Sequence, residues 1–166
     1  MELVSDDVVV VLTAQHRRLE RLLKTLVEAE ISEERAELLA RAGDDLAVHL
    51  LAEESIVYPQ VRARRTEDIL LESLEEHLSL KRLLADLLEL APEDATFRAK
   101  CKVLEEQSTH HHKEEEEHLF PRMKVLLDVQ ARRDMGAEVL VHEQSLRQRG
   151  APRERIGGQT GAAAPL

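Results

Sequence analysis

A chain of 166 residues is about one domain by length, enough to bury a single core. With 34% charged residues, 2% aromatics and few Gly or Pro before position 150 it reads as all-α, and a net charge of −10 argues against nucleic acid or an anionic membrane as partner. Lone Cys101 excludes an intrachain disulfide and a cysteine-rich zinc site, no apolar run approaches the roughly 18 residues of a membrane span, and the acidic start (Glu2, Asp6, Asp7) is unlike a signal peptide, so a cytoplasmic protein is expected.

Apolar periodicity predicts helix 1 from about Asp6 to Glu30, with Leu12, His16, Leu19 and Leu23 on one stripe. Ser32 followed by Glu33 and Glu34 supplies an N-cap and an acidic first turn for helix 2, whose inner face is Leu39, Ala42, Leu46, His49, Glu53 and Ile56. Thr66-Glu67-Asp68 opens helix 3, with Leu70, His77, Leu80, Leu84 and Leu88 inward, and Pro92-Glu93-Asp94 opens helix 4, which turns Leu104, Ser108, His111, Glu115 and His118 inward. Pro59 and Pro121 are expected to kink or end the even-numbered helices. A shorter fifth helix, about Asp128 to Arg147, is expected to pack against one end of a domain spanning 1–149, with His142 exposed on it. Residues 150–166, rich in Gly, Pro, Ala and Arg, read as a disordered tail.

The informative signal is a repeat. His49 and His111 each lie ten residues before a proline, Glu53 and Glu115 six before it, and an aromatic residue (Tyr58, Phe120) immediately before it. A shift of 61 residues lays His16, Leu19, Arg21, Leu22, Leu23 and Leu26 on His77, Leu80, Arg82, Leu83, Leu84 and Leu87. Two matched helical hairpins imply a pseudo-two-fold, antiparallel up-down four-helix bundle. Six side chains then converge: His16, His49, Glu53, His77, His111 and Glu115. Buried without partners they cost several kcal/mol per charge, and no Lys or Arg on these stripes offsets that. Two cations would. Symmetry pairs His16 with His49 on one, His77 with His111 on the other, and makes Glu53 and Glu115 bridges. Open imidazole and carboxylate sites suit redox-active iron.

Within His110-His111-His112 the proline anchor selects His111 with Glu115, leaving His110 and His112 on the flanks, solvated or behind the donors; His110 with Glu115 is the alternative register. Glu54 and Glu116 are expected behind the donors or at the surface. Cys101 reads as a small buried apolar residue.

These motifs resemble those of hemerythrin-like proteins with an HHE cation-binding domain: His16, His49-Leu-Leu-Ala-Glu53-Glu54 with Tyr58-Pro59, His77, and His111-His-Lys-Glu-Glu115-Glu116 with Phe120-Pro121, over about Asp7 to Leu146. The resemblance implies a hemerythrin-like bundle with two irons per chain, oxo- or hydroxo-bridged, that meets O₂, nitric oxide or peroxide. Oxygen-carrying hemerythrins place a further histidine where this chain has Ser73, which argues against reversible O₂ carriage. Two functions follow: a protein that binds or senses such a small molecule, or an enzyme that decomposes peroxide in a catalase-like way or reduces nitric oxide. The scarcity of aromatics leaves only Tyr58 as a radical relay, which argues against a ribonucleotide-reductase-like role. A ferritin-like centre would need a second Glu-x-x-His motif beside Glu115-x-x-His118, and a zinc hydrolase a His-Glu-x-x-His motif. A helical interaction protein with structural histidines is the third reading.

Overall fold

The computed structural model describes residues 6–63 and 65–166; Glu2 lies outside them. Helices α1 (Val8–Glu28), α2 (Ser32–Ala52), α3 (Tyr58–Val61), α4 (Glu67–Glu89), α5 (Phe97–Glu114), α6 (Phe120–Leu126) and α7 (Val129–Gln148) follow in order, with a 3₁₀ helix at Pro152–Gln159. There is no strand among the described residues, and none of their helices is long and apolar enough to cross a membrane.

The helix starts show local chemistry at work. Asp7 caps α1 by accepting from the Val9 amide, and Asp128 caps α7 by accepting from Ala131. Ser32 is already helical, and the cap position falls to Ile31. The fourth long helix starts at Phe97 and not at Pro92, because the Asp94 carboxylate takes the Thr96 amide and hydroxyl and holds a turn there.

Neither proline ends its helix outright. Pro59 and Pro121 lack the N–H that an α-helix would use, and their rings crowd the carbonyl four residues back. Each helix widens beforehand into one π turn, Glu53–Val57 and Glu115–Leu119, in which the Tyr58 amide reaches the Glu53 carbonyl and the Phe120 amide the Glu115 carbonyl. The extra residue per turn shifts the inner face by one. Val57 and Leu119 are therefore buried where Ile56 and His118 were expected, and His118 is exposed.

Helix α1 packs on α2 and α5, and α4 packs on α5 and α2. Two apolar clusters fill their interior. One holds Leu12, Val57, Tyr58, Leu70, Leu74, Leu119 and Phe120; the other holds Leu19, Leu23, Leu46, Leu50, Leu80, Leu84, Phe97 and Leu104. On α1 and α4 the predicted donor sits where one cluster gives way to the other: His16 between Leu12 and Leu19, His77 between Leu74 and Leu80.

Two expectations about the C-terminal part change. Helix α7 has the 20 residues its expected bounds give, but it runs along α1 and α2 and is not confined to one end. Gly136 allows this, since a Cβ there would lie 1.5 Å from the Asp6 carbonyl oxygen. His142 on α7 is half-buried. The segment 150–166 folds back over the helices: Ile156 is fully buried in the second cluster, Arg153 pairs with Asp44 at 2.7 Å, and Ala163, Ala164 and Leu166 pack on the first cluster. Its composition suggested disorder, but a few apolar side chains suffice to anchor it.

Candidate metal centre

The structure brings all six predicted donors together, each at most 1% exposed. His49 Nε2 lies 3.1 Å and His16 Nε2 4.0 Å from Glu53 Oε1, and His16 Nε2 is 3.4 Å from Glu115 Oε1. On the other side, His77 Nε2 lies 3.1 Å and His111 Nε2 3.8 Å from Glu53 Oε2. His111 Nε2 is also 3.3 Å from Glu115 Oε1. The two oxygens of Glu53 therefore face two different histidine pairs. His110 is exposed and stands apart, which favours the register of His111 with Glu115.

Each histidine is aimed by its other ring nitrogen. The Nδ1–H groups of His16, His49, His77 and His111 donate to Glu116 (2.8 Å), the Gln15 amide oxygen (2.8 Å), Glu54 (2.9 Å) and Glu76 (2.6 Å). That fixes the tautomer and turns all four Nε2 lone pairs inward. Glu54 and Glu116 take the place behind the donors that their sequence allowed. Gln15 and Glu76 were not foreseen, although a signal existed: each precedes a histidine at the matched repeat position. Lys81 is a further departure, buried and 2.8 Å from Glu54, so one internal cation does offset the carboxylates.

Tyr58 also belongs to the site. Its hydroxyl lies 2.9 Å from Glu115 Oε2, 3.3 Å from Glu53 Oε2 and 3.1 Å from His77 Nε2. Burial and the two carboxylates push its pKa well above the usual value, so the phenol keeps its proton. Phe120, its repeat counterpart, stacks on His16 with centroids 5.6 Å apart. His112, expected on a flank, is wholly buried and stacks on His16 at 4.0 Å. His118 pairs with Glu114 at the surface. Cys101 is buried as expected, its thiol pushed up to about 11 by burial.

The inner atoms are in the state that a cation would relieve. His16 Nε2, His49 Nε2, Glu53 Oε1 and Glu115 Oε1 are buried with no hydrogen-bond partner. His77 Nε2 and His111 Nε2 lie 3.0 Å apart, and two lone pairs cannot face each other at that distance without a proton or a metal between them. Donors about 2.1 Å from a common ion lie roughly 3–4 Å from one another, which is the spacing seen. Without metal the site gathers protons instead. Burial opposes charge on His16, yet Glu115 and Glu53 raise its pKa to about 9; burial likewise opposes charge on His111, and Glu115, Glu53 and Glu76 raise it to about 10.

Among the described residues, three groups of donors thus lie close enough to hold a cation: His16, His49, Glu53 and Glu115; Glu53, His77 and His111; and His16, His49 and His112. No curated protein and no solved structure matches the chain. A family model for the hemerythrin HHE cation-binding domain matches residues 7–123, which contain every one of these donors. The chain belongs to the hemerythrin HHE family of cation-binding domains.

Proposed function

We propose that the protein is a non-heme di-iron protein that binds or senses O₂, nitric oxide or peroxide. His16 and His49 with Glu53 Oε1 would hold one iron, His77 and His111 with Glu53 Oε2 the other, and Glu115 would be shared. The observation that carries this is the division of the Glu53 oxygens between two histidine pairs. The frame we infer is an antiparallel up-down four-helix bundle with a fifth helix against it. Short connections support it, as does the order in which α1, α2, α4 and α5 meet the two apolar clusters: it reverses from each to the next.

Iron supplies the redox chemistry; the chain's own residues set the conditions. The apolar layers above and below keep bulk water out. The Nδ1–H bonds keep the imidazoles oriented, and the carboxylates on three of those bonds make the rings better donors. One observation favours turnover as a second reading: the Tyr58 hydroxyl holds a proton within the centre, where peroxide decomposition or nitric oxide reduction would use it.

Anaerobic loading with ferrous iron, followed by separate additions of O₂, nitric oxide and peroxide under optical observation, tests this. A long-lived adduct supports binding or sensing. Rapid consumption of peroxide or nitric oxide without an adduct supports the enzyme. Loaded protein inert to all three contradicts both.

A further inference from the structure

One buried imidazole is left over. His112 is wholly buried, yet neither ring nitrogen has a hydrogen-bond partner, and the nearest carboxylate, Glu20, stands 3.7 Å from Nδ1. That is beyond hydrogen-bond reach. The four other buried histidines each donate Nδ1–H to an oxygen. In the first repeat the matching position is Leu50, a buried apolar residue, so the fold at this point asks for no polar group. An imidazole here loses its hydration and keeps ring stacking on His16, but neither of its nitrogens gains a hydrogen bond.

Its surroundings say what would restore the balance. His112 follows His111 by about 100° around α5, which turns it to α1. Its ring lies parallel to that of His16, 7° apart in plane, and edge-on to that of His49 at 5.6 Å. One ring nitrogen from each of His16, His49 and His112 falls within 4.8 Å of the others. We propose that His112 is a fifth imidazole ligand, serving a divalent transition metal ion at the His16/His49 position and only there. From the stacked pose, ligation takes a rotation of the ring about its side-chain bonds, and no residue bonded to it opposes the turn. The two metal positions are then chemically unlike: three imidazoles at one, two at the other. The proposal rests on the paired site above and adds to it.

Titration of the 166-residue chain with Co²⁺, with bound ions counted by native mass spectrometry, compares wild type with His112→Phe and His112→Leu. Phe keeps the stacking and Leu reproduces position 50; neither has a nitrogen. Both variants should bind one equivalent at least tenfold more weakly and change the visible absorption of that equivalent. Two equivalents bound by both variants as tightly as by wild type, with unchanged spectra, overturn the role of His112 and leave the paired site standing. A wild type that takes one ion, weakened in the variants, keeps His112 and overturns the pair; a wild type that takes none overturns both. Should the variants not fold, ¹⁵N chemical shifts of wild type loaded with Zn²⁺ decide: a His112 ring nitrogen in the metal-bound range supports ligation, and one in the free range overturns it.

Discussion

The two halves of the centre present the same donors through different supports. Behind His77 and His111 stand two carboxylates, Glu54 and Glu76, with buried Lys81 on Glu54 and the Tyr58 hydroxyl alongside. Behind His16 and His49 stand one carboxylate, Glu116, which is paired with the half-exposed Arg17, and one amide, Gln15; Phe120 and His112 lie against the rings. The repeat dictates the donors, whereas the matched pairs Glu76 and Gln15, Tyr58 and Phe120, and Leu50 and His112 depart from it. The donors remain identical, and what differs gives the two histidine pairs unlike surroundings.

Glu53 and Glu115 both join the halves, and the loss of Glu53, which presents one oxygen to each histidine pair, should be the largest effect. Glu53→Gln removes the charge from both positions, and metal content after full reconstitution should fall from two per chain to less than one, read by elemental analysis. Two ions retained would mean that the halves do not depend on this carboxylate.

Removing a donor from one half comes next. His111→Ala should empty its position while leaving His16 and His49 together, and His110→Ala, on the exposed side of α5, should leave metal content unchanged. The reverse pattern would show the spacing-five register to be the one used.

Glu143 reaches the His16/His49 half through Gln15, whose amide donates to it at 2.9 and 3.0 Å. Burial raises its pKa from 4.5 to about 7, against the lowering effect of Gln15 and Arg147. The folded state therefore holds a proton that the unfolded chain has lost. The stability this provides is complete below about pH 4.5 and disappears as pH rises through about 7. Relative to wild type, Glu143→Gln should gain up to ~3 kcal/mol between those limits, followed by chemical denaturation at several pH values. Parallel pH profiles would contradict the shift.

The smallest effect exchanges the outer partners. Glu76→Gln should weaken one metal equivalent by roughly tenfold, and Gln15→Glu should strengthen the other by a similar factor, because a carboxylate makes the imidazole behind the metal more basic. Equal affinities in both variants and wild type would show that the asymmetry lies elsewhere.

How much of this was legible follows from period and spacing. The helices, the apolar stripes and the six convergent donors came from a pattern that the fold must obey, since a histidine and a glutamate four residues apart share one helix face. The π turns came less easily. A proline announces a disturbed helix but not its form, and only the extra residue in the turn explains why Leu119 is inside and His118 outside. His112 was assigned to a flank because helical geometry gives an angle and not the depth of the neighbouring helix. Glu76 and Gln15 were visible in the repeat but carried no apolar pattern to mark them. Ile156 was hidden by the Gly and Arg around it, since one buried side chain gives no periodic signal.

The central claim is that two metal ions lie between the halves, and counting them tests it most directly. After anaerobic ferrous reconstitution at pH 8 and removal of loosely held metal, native mass spectrometry should show the folded chain carrying two irons, with the count falling as pH is lowered, because protons held with pKa values of about 9 and 10 on His16 and His111 compete for the same lone pairs. A chain that saturates at one iron or fewer, at every pH at which it stays folded, would contradict the paired centre.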